Sequence, residues 1–216
     1  MRGSEAGARH AAGADPAKRK QILEGAHAVF SRVGFDAASM NDITREAGVS
    51  KGTIYVYFAS KEDLFESLME RERDRLFCGL EDILTAPGAP EDRLHAFGVR
   101  MATLLCSDEV VRAQRVVFGI CERKPELGAR FYEGGAQRGV GLLTRFLETA
   151  AAEGRLEVED PRLLAHQFIE LSTAGLLRRR LFGHMPEAPS AKTVERTVAA
   201  AVRMVLLAHA PRDAAP

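Results

Sequence analysis

The polar and small residues gathered between Ser39 and Phe58 are the part of this 216-residue chain whose types and spacing point to chemistry. They read Ser39-Met-Asn-Asp-Ile-Thr-Arg-Glu-Ala-Gly-Val-Ser-Lys-Gly-Thr-Ile-Tyr-Val-Tyr-Phe58. Ile43, Ala47, Val49, Ile54 and Phe58 can pack inward, as a small core against Val29, Phe30 and Val33. Ser50, Lys51, Thr53, Tyr55 and Tyr57 are then left on the surface of the second of two short helices, which meet at Ala47-Gly48-Val49-Ser50. Lys51, Gly52 and Thr53 occupy its first turn, the part of a recognition helix that reaches base edges in the major groove. Gly52 lets the backbone approach a duplex closely. The Tyr55 and Tyr57 hydroxyls suit phosphate contacts, and Lys61 opens the next helix, where amides and an ammonium favour an anion. This is chemistry for holding a polyanion.

Chemistry that transforms a substrate finds less support. No His-Glu-x-x-His, Gly-x-Ser-x-Gly or Cys-His pairing occurs, so no enzyme is expected. Gly134 to Gly139 has the spacing of a phosphate loop, but Val140 stands where Lys is required. The six His are scattered singly, and Cys78, Cys106 and Cys121 form no Cys-x-x-Cys pair, so neither a metal nor a cofactor is expected. The cysteines read as reduced core thiols of a cytoplasmic protein. The net charge is zero, yet residues 1–61 carry nine Lys/Arg against six Asp/Glu and the rest twenty-one against twenty-four. A positive first part suits a nucleic acid.

Helices must position these residues. Charged residues make up 28% and apolar ones 46%, which excludes a disordered chain, and aromatics at 6% with no Trp favour helix over sheet. No run of eighteen apolar residues exists, so no membrane partner is expected, and the first fifteen residues lack the apolar block of a secretory signal. Residues 1–15 read as a disordered arm, 16–62 as a helix-turn-helix domain, 63–210 as a helical effector-binding and dimerisation domain, and 211–216 as a disordered tail. Pro16 opens a first helix that Gly34 stops. Ser39, Ser50 and Ser60 each stand before a helix they can cap. Further helices are expected over 61 to about 85, 91–106, 107 to about 123, 126–152, 160 to about 182 and 191–209, with no strand. The expected fold is all-α, with about nine helices.

The string resembles the TetR family of bacterial transcriptional regulators. The resemblance runs from Ile22-Leu-x-x-Ala26-x-x-x-Phe30 through Gly34-Phe35 and Ser39-Met40-x-Asp42-Ile43 to Ala47-Gly48-Val49-Ser50-Lys51-Gly52-Thr53-Ile54-Tyr55-x-Tyr57-Phe58, and closes with Ser60-Lys61-Glu62-Asp63-Leu64. It implies DNA contacts by Ser39, Arg45, Ser50, Lys51, Gly52, Thr53, Tyr55, Tyr57 and Lys61. Val56 departs from the larger aromatic or polar residue that members often carry there. Lys18, Arg19 and Lys20 either touch phosphate or form a solvated helix start. Residues 160–183 look similar to the dimerising helix of an AefR-like branch.

The resemblance further implies a homodimer on a pseudo-palindromic double-stranded operator, repression as the commoner mode, and a small apolar or amphiphilic effector. Phe77, Phe97, Met101, Phe118, Cys121, Phe131, Tyr132, His166 and Glu170 are the pocket candidates, with plain core as the alternative for the apolar ones. Leu171, Gly175, Arg178, Ala200 and Met204 are the candidates for a dimer interface made by the last two helices, with Ala174-Gly175 and Ala199-Ala200-Ala201 small enough for close approach. The Arg178-Arg179-Arg180 run reads as solvated or as pairing with acids across the dimer, with an acidic ligand as a further alternative. A DNA-binding regulator without effector, or an enzyme, remain the competing functions.

Overall fold

The computed structural model describes residues 15–211; the expected arm and tail lie outside these, apart from Asp15 and Pro211. The chain divides into two compact units between Glu72 and Arg73. Among the described residues every regular element is a helix.

In the first unit, α1 (Pro16–Ala37) begins on Asp15, whose carboxylate accepts from the amides of Ala17 and Lys18. Gly34 interrupts it with φ 80°, a left-handed turn that glycine makes without a Cβ penalty. There follow α2 (Met40–Glu46), α3 (Lys51–Tyr57) and the start of α4 (Lys61–Phe77). Ser39, Ser50 and Ser60 cap these three, each taking the amide three residues on. Asp63 reaches back past the Ser60 cap and accepts from the Ala59 amide at 2.8 Å, tying the incoming loop to the first turn of α4.

The core of this unit is Ile22, Ala26, Val29, Ile43, Ile54 and Phe58, closed by Phe30, Phe35 and Phe65. The three rings meet at centroid distances of 5.1 to 5.8 Å, two of the pairs edge-on. Val33, expected inside, is 45% exposed. The Gly34 turn sends the chain inward one residue later, and Phe35 fills the space instead.

In the second unit the expected long helices are cut at glycines. Gly79, with φ 80°, separates α4 from α5 (Leu80–Thr85), so no single helix runs from 61 to 85. Then come α6 (Pro90–Leu105), α7 (Asp108–Ile120), α8 (Pro125–Gly134) and α9 (Ala136–Ala152). Gly175, φ 70°, lies in the break between α10 (Pro161–Ser172) and α11 (Leu177–Leu181), and α12 (Ala191–His209) closes the unit. The expected 126–152 helix is likewise split, at Gly135 between α8 and α9, and with these three breaks the about nine expected helices become twelve helical segments among the described residues.

Helices α6, α9, α10 and α12 surround a core centred on Phe97, Met101, Leu143, Leu147, Phe168 and Val198. Gly98 lets three of them close up: a Cβ there would fall 2.6 Å from Val198 Cγ1 and 3.1 Å from Phe168 Cζ.

Arg180 is the largest departure from the sequence expectation. Only 2% exposed, its guanidinium donates to the carbonyl oxygens of Cys106, Met185 and Pro186 and pairs with Asp108. Arg115 on α7 donates to the Leu181 and Arg180 carbonyls at the end of α11. The basic run is therefore split: Arg178 and Arg179 face solvent while Arg180 ties α11 and the following loop to α7.

Candidate nucleic-acid interface

The corner between α2 and α3 turns at Gly48, whose φ of 63° is left-handed, and Gln21 Nε2 of α1 donates to the Ala47 carbonyl there at 2.6 Å. Behind the corner, Gly25 brings α1 against α2. A Cβ on Gly25 would lie 2.7 Å from Ala47 Cβ and 2.8 Å from its backbone. The sequence pattern pointed to neither contact, although a glycine inside a helix is a signal of close approach.

This scaffold fixes α3 with Ile54 and Phe58 inward. Its outer surface carries Lys51, Gly52, Tyr55 and Val56, all exposed, with Thr53 and Tyr57 half-buried beside them. Lys51 has no ion pair among the described residues. Ser50 Oγ takes the Thr53 amide at 3.0 Å and is hydrogen-bonded to Thr53 Oγ1 at 2.7 Å, which fixes the Thr53 hydroxyl at the helix start. Among the described residues a Cβ on Gly52 would meet only Ser50 Oγ, at 3.8 Å, so none of them fills the space in front of it. An N-terminal turn of this kind combines an ammonium, hydroxyls and unpaired amides, the groups that bind phosphate oxygens and base edges.

The remaining predicted contacts differ in how free they are. On α2, Ser39 Oγ donates to Asp42 Oδ2 at 2.6 Å, and Arg45 pairs with Asp42 at 2.6 Å while staying largely in solvent. The Ser39 hydroxyl first, then Arg45, hold the Asp42 carboxyl below the usual carboxylate range. Lys61 is committed inward. Its Nζ donates to the carbonyl oxygens of Phe35 at 2.7 Å, Ala38 at 2.9 Å and Asp36 at 3.3 Å, and sits 4.4 Å from the centre of the Phe35 ring. Of the residues before and in the first turn of α1, Lys18 donates to Gln21, Arg19 lies over the Phe58 ring at 5.3 Å and Lys20 pairs with Glu24.

The pocket candidates fall in different settings. Phe77, Phe97 and Met101 are buried in one core, and a Cβ on Gly139 would fall 2.9 Å from Met101 Cε and 3.5 Å from Phe77 Cε1, so these two side chains pack closely on α9 there. Phe118 and Tyr132 face solvent at 61% and 49% exposure, whereas Cys121, Phe131 and His166 are half-buried. Glu170 lines an open groove of about 480 Å³ between α10 and α12, together with Leu171 and Met204 of the dimer candidates. Gly175 and Arg178 are exposed and Ala200 is half-buried. Among the described residues no group of three His, Cys, Asp or Glu could hold a metal ion, and no helix is long and apolar enough to cross a membrane.

Comparison with known proteins matches two parts of the chain to families. Residues 22–68 match the family described as bacterial regulatory proteins, tetR family, and residues 92–211 the AefR-like transcriptional repressor, C-terminal domain. Among curated relatives, the repressor KstR2 of Mycobacterium tuberculosis is 36% identical over 92 residues, 43% of this chain and 45% of that protein. The uncharacterised regulator YfiR of Bacillus subtilis is 40% identical over 57 residues, 26% of this chain and 28% of that protein. The chain thus spans less than half the length of these two relatives. Solved structures are similar along almost the whole chain. The flavonoid-responsive regulator FrrA is 31% identical with a TM-score of 0.79, covering 92% of this chain and 100% of that one. A regulator from Mesorhizobium loti is 25% identical with a TM-score of 0.81, covering 90% and 97%.

Proposed function

The chain belongs to the TetR family of transcriptional regulators, with an AefR-like C-terminal domain, and from that membership we propose that it is a cytoplasmic homodimeric repressor released from its operator by a small apolar or amphiphilic effector. Each α3 enters a major groove, the two lying about 34–36 Å apart on a pseudo-palindromic site. Lys51 and Thr53 read bases or phosphates, and Tyr55 and Tyr57 hold the backbone. The observation that supports this reading is the open, polar first turn of α3, with none of the described residues filling the space in front of Gly52.

For the dimer, support comes from the outer face of α10 and α12, where Leu163, Met204 and Leu207 lie exposed beside the groove. For the effector, FrrA's flavonoid response makes flavonoids the first class to try. Effector binding loosens the DNA complex only by favouring a state with the wrong recognition-helix spacing. Helix α4, continuous from Lys61 to Phe77, is the covalent path for that change. A regulator without effector is the second reading, favoured by the close packing of Phe77 and Met101 against Gly139 of α9.

The test is selection of bound fragments from the source genome, with a Thr53→Ala/Tyr55→Ala variant as control. A pseudo-palindrome recovered only by the unaltered protein is expected, and its loss from DNA on adding a flavonoid separates the inducible from the effector-free regulator. The Thr53→Ala change alone should cost about 1–3 kcal/mol of specific binding. An unchanged ratio of specific to random affinity would remove Thr53 from base reading.

A further inference from the structure

A cleft of about 270 Å³ lies within the second unit, between α5, α6 and α9. Leu84, Leu142 and Phe146 make its apolar wall, and three guanidinium groups, Arg93, Arg145 and Arg155, face two carboxylates, Glu81 and Glu153. Both carboxylates are taken. Arg145 lies 3.4 Å from Glu81, and Arg155 pairs with Glu153. Arg93 receives none. Its Nη1 donates to the Leu84 carbonyl at 3.2 Å, its guanidinium lies 4.9 Å from the centre of the Phe146 ring, and its Nε is closed off from solvent without a hydrogen-bond partner. Burial first, and the neighbouring charge of Arg155 second, disfavour the cation. Arg93 is half-buried and has no carboxylate partner, and among the residues lining the cleft three guanidinium groups stand against two carboxylates, one positive charge in excess.

We propose that the cleft is a binding site for a small organic monocarboxylate, its carboxylate against Arg93 and its apolar body along Leu142 and Phe146. The excess of one positive charge fits a carboxylate, whereas a phosphate monoester at about −1.5 to −2 exceeds it. The volume is about nine waters' worth, room for a single ring or a short chain. With Nε closed off and Nη1 already donating to the Leu84 carbonyl, a carboxylate meets the outer Nη edge of Arg93 in a charge-assisted pair. The site is separate from the α3 surface and from the α10–α12 groove, and it does not rest on the DNA-binding reading.

Calorimetry on the full chain without DNA tests it, with benzoate as probe and neutral benzamide as control. Benzoate is expected to bind, and benzamide to bind at least about tenfold more weakly, the loss of a charge-assisted pair. Arg93→Gln should weaken benzoate by about tenfold or more, and Arg93→Lys, which keeps the charge, should lose less. A second variant covers the case in which Arg93→Gln does not fold. Thr149→Glu, at an exposed cleft position, supplies the missing carboxylate from within and should both exclude benzoate and raise the melting temperature. No benzoate binding at about 10 mM, or equal binding by the unaltered protein and Thr149→Glu, overturns the site.

Discussion

The outer face of α3 and the interior of the C-terminal unit place their candidate functional residues in opposite settings. On α3 they are polar and lie exposed or half-buried over a closed core, with the Ser50 cap and the inward Ile54 and Phe58 holding the helix in place. In the C-terminal unit Phe77, Phe97 and Met101 are the core itself. A substitution on the α3 face can therefore remove function and leave the fold intact, whereas one in the second interior changes both at once. The contrast yields tests of graded size.

Arg180 should give the largest effect, since it is the charged residue that the C-terminal unit has turned into structure. Arg180→Leu leaves the carbonyls of Cys106, Met185 and Pro186 without their donor and should cost about 3 kcal/mol, read by chemical denaturation. Arg178→Leu, two residues away and exposed, should change stability by less than about 0.5 kcal/mol. Equal effects of the two would mean that Arg180 is solvated, as the sequence pattern suggests.

Next come two glycines of the first unit. Gly25→Ala drives a Cβ into Ala47 and its backbone and should destabilise by about 1–3 kcal/mol. Gly52→Ala meets open space, so helix propensity should leave stability unchanged or raise it by about 0.5–1 kcal/mol. Its DNA affinity should nevertheless fall, because the added methyl group occupies the space left for the duplex. A Gly52→Ala protein that binds operator normally would show that close approach is not why glycine is there.

Lys61 ranks third and decides a question the sequence leaves open. At a helix start beside a recognition element it reads as a phosphate contact, yet its ammonium serves three carbonyls at the end of α1. Lys61→Met keeps the stem and removes those bonds, and should cost about 1 kcal/mol of stability with the salt dependence of DNA binding unchanged. A salt slope reduced by about one would instead return Lys61 to the phosphate.

How much of this was legible depends on what each residue does. The three serine caps, the Gly48 corner and the inward face of α3 follow from local backbone chemistry, which spacing reports directly. The breaks at Gly79 and Gly175 were missed because a glycine within an apolar helical pattern looks the same whether the helix continues or turns. The burial of Arg180 and the inward turn of Lys61 were illegible for a different reason. Their partners are carbonyl oxygens, Cys106 being 74 positions away from Arg180, and a carbonyl has no side-chain identity to read. Nor can periodicity separate pocket from core among Phe77, Phe97 and Met101, since both demand the same apolar stripe.

Cys106 gives the smallest effect and probes how closed the C-terminal interior is. It is fully buried, and burial pushes its thiol up to about 11 against the partial opposing pull of Arg180. The native state thus keeps the proton after an unfolded thiol, near 9.0, has lost it. Its contribution to stability is complete below that unfolded value and disappears as pH rises from 9.0 to about 11. The melting temperature should therefore fall more steeply above this unfolded value in the unaltered protein than in Cys106→Ala. Labelling sharpens the comparison at neutral pH: a thiol reagent should modify exposed Cys78 in the folded protein and reach Cys106 only as fast as the unit opens. Rapid labelling of both cysteines would mean that the interior around α6 and α11 opens far more readily than its packing implies.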